Sequence, residues 1–309
     1  MRILVLGHTG YLGAHVAARL RALPGALVLG GGRSPAAEVG VDLATARPED
    51  LAERLASAAP DAVVNCAGAT GGDAVTLAET NARGPAALCA ALSRAAPAAR
   101  LVHLGSAAEY GPSAPGTRVT ESDPTRPVSP YGATKLAGTV AVTASGLDAV
   151  VLRVGNPVGP GAPRTGLPGR IAALLRAAGP DPDAVLRLGD LSAHRDFVDV
   201  RDLARAAQLA VTAPGPLPPV LNVGGGTAVP VRDLVRGLAE KAGFRGRIEE
   251  DAGGSARSAQ VSWQCSDITA ADRALGWRPA HTLDDALTAL WTATAGRPAA
   301  RRAEGDAAP

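Results

Sequence analysis

Lysine is nearly absent from this sequence. Of its 31 basic residues, only Lys135 and Lys241 are lysines, and all the others are arginines. Arginine and lysine differ in shape, hydration and acidity, so a lysine kept in an arginine-rich chain indicates a need for that particular side chain. Lys135 lies in the segment SPYGATKLAG at residues 129–138, which is therefore the first candidate functional segment.

Cysteine and large aromatic residues are also scarce. The three cysteines, Cys66, Cys89 and Cys265, are odd in number, far apart and without CxxC or CxxH spacing. This pattern argues against a disulfide framework or a metal site and is typical of small buried side chains in a reducing compartment. With only two phenylalanines, the chain also offers little aromatic surface on which a nucleobase could stack.

The charge is nearly balanced. A formal net charge of +2 gives no basic field that would favour nucleic acid or a membrane surface as a partner. The first apolar run, MRILVLG, is too short for a signal-peptide core or a membrane helix, so we expect a cytoplasmic protein. A length of 309 residues is sufficient for about two domains with a sizeable core.

Short apolar runs alternate with helix-like segments in the first half of the chain. The runs, at residues 2–6, 26–30, 61–66, 100–104 and 148–154, are continuous and rich in β-branched residues, as strands buried on both faces are. The helical segments between them lie at residues 11–23, 49–58, 74–95 and 129–145. This alternation predicts an α/β fold with a doubly wound parallel Rossmann sheet.

The pattern changes after about residue 155. Proline and glycine cluster at residues 156–169 and 213–219, and helical segments follow with little strand between them, at residues 168–178, 201–212, 231–242 and 283–294. This predicts a smaller, loop-rich C-terminal substrate domain, with one return into the Rossmann sheet near residues 195–212.

The expected domains are therefore discontinuous. Residues 1–155 and 192–212 are predicted to form the dinucleotide-binding domain, and residues 156–191 and 213–296 the substrate domain. The remaining residues, 297–309, have no apolar period and are expected to be a disordered tail.

A glycine motif, GHTGYLG, joins the first strand to the first helix. Glycines at such a junction allow a tight turn and a close approach of the backbone to a pyrophosphate, which the helix N-terminus attracts. A glycine-rich turn without a ligand is the alternative. The cofactor-binding residues expected here are Gly7, Thr9, Gly10, Tyr11, Leu12 and Gly13.

The end of the second strand bears on which dinucleotide is bound. NAD enzymes usually carry a carboxylate there for the ribose 2′-hydroxyl, but the segment LGGGRSP has none and offers Arg33 and Ser34. An arginine pairs with a 2′-phosphate, so we expect NADP(H) to be preferred, with NAD(H) possible. The alternative is an ordinary exposed arginine. Asp42 and Leu43 are candidate adenine contacts, and a surface aspartate is the alternative there.

Tyr131 and Lys135 are four residues apart on a helix that begins after Ser129-Pro130. This spacing places both side chains on one face. A phenol is a weak acid–base catalyst at neutral pH, and a nearby ammonium lowers its pKa toward the working range. A lysine can also reach the ribose hydroxyls of a cofactor. The alternative is a core aromatic residue next to an unrelated surface lysine.

Ser106 lies where the strand RLVHL ends, at the edge of the sheet where ligands bind in such folds. A hydroxyl at this place could polarise the same carbonyl that the tyrosine protonates. By itself Ser106 would be an ordinary turn residue. Its expected proximity to Tyr131 and Lys135 makes it the third candidate of the site.

Several motifs in sequence order resemble the extended short-chain dehydrogenase/reductase family, which acts on sugar nucleotides. They are the glycine motif, S-x-x-x-YG, YxxxK, LRVGNPVGPG, RDFVDVRDLARA and LGWRP, and the similarity covers about residues 1–294. The resemblance implies catalysis by Ser106, Tyr131 and Lys135, with support from Asn81, and cofactor contacts at Ala67 and Gly68. It also implies a homodimer formed through helices 81–95 and 129–145.

The resemblance also narrows the reaction. The family's dehydratases carry acidic residues directly after the catalytic hydroxyl, whereas this chain has Ala107 and Ala108, and Glu109 one place later cannot be assumed to substitute. The segment TESDPTRPVSPYGATK is most similar to the reductases of nucleotide-linked 4-keto-6-deoxyhexoses. We therefore expect NADPH-dependent reduction at C4. A 4-epimerase with tightly held NAD is the alternative, and a non-catalytic NADPH-binding regulator is a more distant one.

The same resemblance assigns the substrate contacts. Asn156 matches an asparagine that contacts the sugar or its phosphate, Arg195 matches the diphosphate-binding arginine, and Arg257 is a possible second one. Pairing of Arg195 with Asp196 or Asp199 is the alternative. Gly155 stands where relatives often have an aromatic residue, so an open sugar pocket is expected.

Overall fold

The computed structural model describes residues 1–251 and 261–295. Its centre is a seven-stranded sheet in the order β10-β6-β5-β4-β1-β2-β3, in which all neighbouring strands are parallel. The strands are β1 (Arg2–Leu6), β2 (Leu27–Gly32), β3 (Val39–Gly40), β4 (Ala62–Asn65), β5 (Arg100–Ser106), β6 (Ala149–Val154) and β10 (Val220–Val223).

Helices cover both faces of this sheet, which confirms the predicted doubly wound Rossmann fold. On one face, α1 (Tyr11–Arg21) and α7 (Val200–Thr212) enclose a core that includes Val16, Leu20 and Leu203. On the other face, three helices pack on the sheet, and the core that they cover includes Leu51, Leu88 and Val142. Those helices are α2 (Pro48–Ala58), α4 (Gly84–Ala95) and α5 (Pro130–Thr143).

The predicted helix at residues 74–95 is interrupted. It consists of α3 (Ala74–Ala78), one π-helical turn (Glu79–Arg83) and α4. Such turns place one extra residue in a helix and are frequent at functional sites. This one contains Asn81, which is 1% exposed.

A second hydrophobic core lies in the C-terminal part of the chain. Ile171, Leu175, Leu234, Leu238 and Leu287 belong to it. They lie on α6 (Leu167–Ala178), α8 (Val231–Lys241) and α10 (Leu283–Thr294). Two small sheets accompany these helices. One has the order β11 (Ala228–Pro230), β9 (His194–Asp199), β7 (Asn156–Val158), and the other pairs β12 (Arg247–Glu250) with β8 (Val185–Leu188).

The return into the central sheet differs from the prediction. The segment expected to return, near residues 195–212, supplies β9 (His194–Asp199), which pairs with β7 (Asn156–Val158) and β11 (Ala228–Pro230) in a small separate sheet. The strand that joins the central sheet is β10, beside β6, while α7 packs on that sheet next to α1. The hydrophobic pattern indicated a helix at residues 201–212 but not which strand adds to the edge.

The expectation of little strand in this part was also too low. Besides β7, β9, β10 and β11, the described chain contains β8 (Val185–Leu188) and β12 (Arg247–Glu250). Their sequences, such as VLRL, RIEE and HRDFVD, contain charged or polar residues and therefore give no continuous apolar run.

One C-terminal segment packs with the Rossmann core. Trp277, which follows α9 (Thr269–Leu275), is fully buried in the core beneath the central sheet, and its Nε1 donates to the carbonyl oxygen of Asp202 at 2.9 Å. The domain boundaries themselves stay a prediction, and the expected tail at 297–309 lies outside the described residues. Among the described helices, none has the length and apolar character needed to cross a membrane.

Candidate active site

The glycine motif forms the turn between β1 and α1. Gly7 has a φ of +74°, and its N–H donates to the Gly31 oxygen at 2.8 Å. A Cβ atom at Gly7 would lie 2.8 Å from the backbone nitrogen of Ala67, which follows β4. A Cβ atom at Gly13 would collide with the Gly7 carbonyl. Glycine at these two positions therefore allows the turn and brings the chain after β4 close to it.

The N-terminus of α1 is left available to an anion. Its N-cap, Gly10, provides no side-chain hydrogen bond, and the first turn has no acidic residue. Unpaired N–H groups and the positive end of the helix dipole favour a phosphate group at such an end. Among the other predicted contacts, Leu12 packs against the core, while Thr9 and Tyr11 line a cleft.

That cleft separates the glycine turn from a loop after β7 and has a volume of about 680 Å³. Two contacts join α1 to this loop beside the cleft. The Tyr11 hydroxyl lies 3.5 Å from the Gly159 oxygen, and His15 Nε2 lies 2.9 Å from the Pro160 oxygen. Burial raises the pKa of Tyr11 well above its usual value. The sequence analysis missed this loop contact because the two segments are more than 140 residues apart.

The predicted 2′-phosphate site lies at the end of β2. Arg33 is exposed there, and the Ser34 hydroxyl accepts a hydrogen bond from Ala36 N at 3.2 Å. The carboxylate of Glu38, which was not predicted from the sequence to lie here, binds this strand. Its Oε2 accepts from Gly30 N at 2.8 Å. Hydrogen bonds from backbone N–H groups, its own first, lower the pKa of Glu38.

The candidate adenine contacts lie one strand further along. Asp42 Oδ1 accepts from Ala44 N at 3.1 Å, and Leu43 is 5% exposed. Arg83, at the end of the π-helical turn, donates to the Ala44 oxygen at 2.9 Å and to the Ala46 oxygen at 3.0 Å. This loop is therefore tied to the helix that carries Asn81.

Tyr131 and Lys135 lie one turn apart on α5. The helix begins at Pro130 after the N-cap Ser129, whose hydroxyl accepts from Gly132 N at 3.2 Å. Lys135 is 5% exposed, and its Nζ donates to the Leu104 oxygen in β5 at 2.6 Å. The lysine is therefore fixed against the carboxyl edge of the sheet, which differs from the surface lysine of the alternative interpretation.

Burial governs the charge of Lys135. Loss of solvent lowers the pKa of its ammonium to about 8, while the negative charge of Glu109 acts in the opposite direction. A Cβ atom at Gly68, one of the predicted cofactor contacts, would lie 3.9 Å from Nζ. Lys135 thus lies between the ends of β4 and β5, where the predicted nicotinamide ribose would bind.

Two glycines let α5 approach its neighbours. A Cβ atom at Gly132 would lie 2.5 Å from the Ala108 oxygen, and one at Gly138 would collide with the Asn81 oxygen. Ala108 belongs to the turn that follows Ser106, the last residue of β5, and its N–H donates to the Ser106 hydroxyl at 3.2 Å. The start of α5, which carries Tyr131, is therefore held against the turn that carries Ser106.

Asn81 acts on the loop after β4. Its Oδ1 accepts from Ala69 N at 2.9 Å, and its Nδ2 donates to the Ala69 oxygen at 2.9 Å and to Thr134 Oγ1 at 3.3 Å. The side chain thus joins the loop at Gly68 to the helix that carries Lys135. The predicted support of catalysis by Asn81 stays a prediction.

The predicted substrate contacts lie on the other side of α5. Asn156 Nδ2 donates to Gln264 Oε1 at 2.7 Å and to the Asp196 oxygen at 3.1 Å. Arg195, Ser129 and Gln264 line a small groove. Gln264 was missed because it is 108 positions away from Asn156. Arg257 lies outside the described residues.

Asp196 and Asp199, the alternative partners suggested for Arg195, form hydrogen bonds or ion pairs with other groups. Asp196 accepts from the N–H groups of Gly225, Gly226 and Ser266 at 2.6, 3.0 and 2.9 Å. Asp199 forms an ion pair with Arg201. These bonds give the two carboxylates structural roles.

The expectation of an open sugar pocket at Gly155 was wrong. A Cβ atom there would lie 2.9 Å from the Asp196 oxygen and 3.4 Å from the Gly224 Cα. The glycine thus permits close packing of β7 and its neighbours, and its missing side chain leaves no space.

The parallel sheet and its glycine turn define a Rossmann-like α/β protein with a nucleotide-binding edge. The chain belongs to the NAD dependent epimerase/dehydratase family, whose model matches residues 3–224. This confirms the family resemblance stated from the motifs.

Individual proteins resemble it along nearly the whole chain. It is 42% identical, over 97% of both chains, to a dTDP-6-deoxy-L-talose 4-dehydrogenase (NAD(P)(+)) from Kitasatospora kifunensis. The structure of MoeE5 in complex with UDP-glucuronic acid and NAD matches with a TM-score of 0.83 and 28% identity, over 96% of this chain and 99% of that one. RMD from Pseudomonas aeruginosa complexed with NADPH matches with a TM-score of 0.82 and 25% identity, over 94% and 98%.

Gly13→Ala is expected to destabilise the protein by about 1–3 kcal/mol, because the added methyl group meets the Gly7 carbonyl in a tightly packed turn. The measurement is the free energy of unfolding in urea. Gly215→Ala is the matched control, since a Cβ atom there meets nothing within 4 Å. Equal stability of the two variants would contradict the packing role of Gly13.

Asn81→Ala is expected to lower the free energy of unfolding by about 1–3 kcal/mol, because both polar groups of Ala69 lose their partner in a partly buried place. Asn81→Asp keeps an acceptor for the Ala69 N–H but turns a second oxygen toward the Ala69 oxygen in place of a donor, so it should destabilise the protein as well. The urea midpoints of the two variants test the bridge. An Asn81→Ala protein as stable as the wild type would show that the bridge contributes nothing.

Proposed function

We propose that this protein uses NADPH to reduce the C4 keto group of a nucleotide-activated 4-keto-6-deoxyhexose. The observation that carries the proposal is the setting of Lys135, buried at the sheet edge one turn after Tyr131 on the helix that packs against the Ser106 turn. A positively charged amine in this place lowers the pKa of the nearby phenol, which helps the phenol to act as a proton donor. The 42% identity with a deoxysugar 4-dehydrogenase over 97% of both chains supports the same reaction type.

The residues present fit a dinucleotide. The bare N-terminus of α1 suits the pyrophosphate, and Gly68 leaves room next to Lys135 for the nicotinamide ribose. When bound, the cofactor supplies a hydride to C4. Tyr131 then gives its proton to the C4 oxygen, Ser106 donates a hydrogen bond to that oxygen, and Lys135 stabilises the resulting phenolate.

The residues after Ser106 support reduction over dehydration. Ala107 and Ala108 cannot transfer protons. Glu109 is fully buried and forms an ion pair with Arg153 at 2.8 Å, so it is not available to a substrate. None of these three residues can carry out the proton transfers at C5 and C6 that a dehydratase needs.

The cofactor preference rests on Arg33. Its guanidinium is exposed at the end of β2, where it can pair with a 2′-phosphate, and the Glu38 carboxylate is occupied by Gly30 N. RMD was solved with NADPH, whereas MoeE5 was solved with NAD. NADP(H) is therefore the proposed cofactor, with NAD(H) as a poorer one.

The proposed substrate is a dTDP-linked sugar. The Kitasatospora relative acts on a dTDP-6-deoxyhexose by its name, and the similarity spans both chains. Arg195 would bind the diphosphate through charge-assisted hydrogen bonds, and Asn156 the sugar or its phosphate. Arg257 is a further candidate for the diphosphate.

We also propose a homodimer formed through the helices at 81–95 and 129–145. Val140 on α5 is 55% exposed. Small residues surround Val140 on the outer side of α5, where Ala133 and Ala137 are exposed as well. An apolar face of this kind suits a second copy of the same helices.

A 4-epimerase is the second candidate, because the matching family includes epimerases. The two differ in the fate of the cofactor. A reductase consumes NADPH in proportion to product, whereas an epimerase is purified with NAD and consumes none. Oxidation of NADPH with dTDP-4-keto-6-deoxyhexose, followed by NMR of the product, distinguishes them.

Tyr131→Phe is expected to lower kcat by about 100-fold or more, because the variant loses the proton donor. Its affinity for NADPH, measured by fluorescence titration, should stay near that of the wild type. Tyr110→Phe, which removes a phenol hydroxyl that donates to Asn222 Oδ1 inside the protein, is the matched control and should retain most activity. Turnover of Tyr131→Phe near the wild-type rate would refute the assigned acid.

Arg33→Ala is expected to raise the Michaelis constant for NADPH about tenfold or more and to leave that for NADH nearly unchanged, because only NADPH carries the 2′-phosphate. Steady-state kinetics with both cofactors make the comparison. Arg21→Ala provides the control for a general loss of positive charge near this end of the sheet. Equal effects on the two cofactors would exclude Arg33 as the 2′-phosphate partner.

A further inference from the structure

A buried carboxylate lies directly behind Ser106. Glu109 has no exposed surface, and its Oε1 accepts from the Ser106 N–H at 2.7 Å while its Oε2 accepts from Arg153 Nε at 2.8 Å. The Ser106 hydroxyl in turn accepts from Ala108 N. With both oxygens bonded inside the protein, Glu109 can influence a reaction only through its neighbours.

The surrounding strands fix the position of this carboxylate. Arg153 in β6 is the register partner of Gly105 in β5, which directly precedes Ser106. A Cβ atom at Gly105 would lie 2.8 Å from Glu109 Oε1, so the glycine makes the space that the carboxylate fills. The Arg153 guanidinium also lies 4.6 Å from the centre of the Tyr110 ring, which restrains it further.

Lys135 approaches the same stretch of β5. Its Nζ binds the oxygen of Leu104, the residue before Gly105. Thr139, one turn after Lys135 on α5, lies beside Gly105, since a Cβ atom there would be 3.3 Å from Thr139 Oγ1. The lysine and the carboxylate therefore both lie against the stretch from Leu104 to Ser106 of β5.

Two other titratable groups near Lys135 carry little charge near neutral pH. Burial raises the pKa of the Cys66 thiol after β4 to about 12, and it lowers the pKa of His103 in β5 well below its usual value. Arg153 in β6 is positive and lies behind Glu109, and Tyr131 shares α5 with the lysine. The negative charge of Glu109 raises the pKa of Lys135, against the burial that lowers it to about 8.

We propose that Glu109 is a positioning residue, whose carboxylate fixes the turn that presents Ser106 and supplies the negative charge that keeps Lys135 an ammonium ion. Arg153 holds the carboxylate in place. The catalytic meaning of this arrangement rests on the proposed function, but the coupling of Glu109 to Lys135 belongs to the chain itself and can be measured without substrate.

The near absence of lysine makes a direct test practical. Lysine labelled with ¹³C at Cε gives only two side-chain signals, from Lys135 and Lys241, and Lys241→Arg assigns them. In the wild type, the Lys135 signal should titrate near pH 8. In Glu109→Gln, which keeps the size of the side chain and removes its charge, the midpoint should fall by about one pH unit or more. An unchanged midpoint in the folded variant overturns the proposal.

A matched variant separates this effect from loss of stability. Asp202 is also a buried carboxylate, and it binds the backbone N–H groups of Ala280 and His281 away from the site. Asp202→Asn should lower the unfolding midpoint without moving the Lys135 titration, and a similar shift in both variants overturns the proposal. If Glu109→Gln does not fold, Glu109→Gln/Arg153→Met removes both charges of the pair and should move the midpoint in the same direction by less, because the loss of the more distant Arg153 positive charge acts the other way.

Kinetics provide the second measurement. In Glu109→Gln, kcat should fall about tenfold, and the alkaline limb of its pH profile should move to lower pH together with the Lys135 titration. A fixed alkaline limb overturns the proposal. A wild type that reduces no 4-keto sugar nucleotide overturns the proposed function alone, since the shift of the lysine signal in Glu109→Gln would still support the coupling.

Discussion

The structure depends on one buried hydrogen bond, from the Lys135 ammonium to the Leu104 oxygen at 2.6 Å. Burying an amine is costly unless it is hydrogen-bonded and faces an opposite charge. The glycines at 68, 132 and 138 make room for the chain around this lysine, and Glu109 supplies the charge. An arginine has a larger planar head with five donors and would not fit the same space. The one lysine of this segment is thus explained by its surroundings.

Much of the site could be predicted because its parts are local in sequence. The GHTGYLG turn follows a strand and opens a helix, and the four-residue spacing of Tyr131 and Lys135 defines a helical face whatever the rest of the fold does. Ser106 follows from the rule that parallel strands present ligands at their carboxyl ends. The apolar runs likewise indicated five of the six strands between residues 2 and 154 and the helices between them, whereas β3 has only two residues.

The remaining features depend on contacts between distant segments. Arg153 meets Glu109 only because β5 and β6 are neighbours in register, and Gln264 meets Asn156 across 108 positions. The strand at the sheet edge was assigned to the wrong segment because neither β9 (HRDFVD) nor β10 (VLNV) gives a continuous apolar run, and only pairing distinguishes them. The prediction of an open sugar pocket at Gly155 was wrong for a related reason. A missing side chain indicates either space or close packing, and the sequence does not distinguish the two.

The π-helical turn at Glu79–Arg83 has a consequence for how such a site can arise. Each residue added to a helix rotates everything after it by about 100°, which would normally turn the apolar face of α4 away from its core. A π-helical turn accommodates the additional residue within itself, so the residues after it keep their orientation. Leu88 and Leu92 therefore keep their places against the sheet, while Asn81 points toward the loop after β4. A single inserted codon could thus have added a functional side chain to an existing helix without a new packing arrangement.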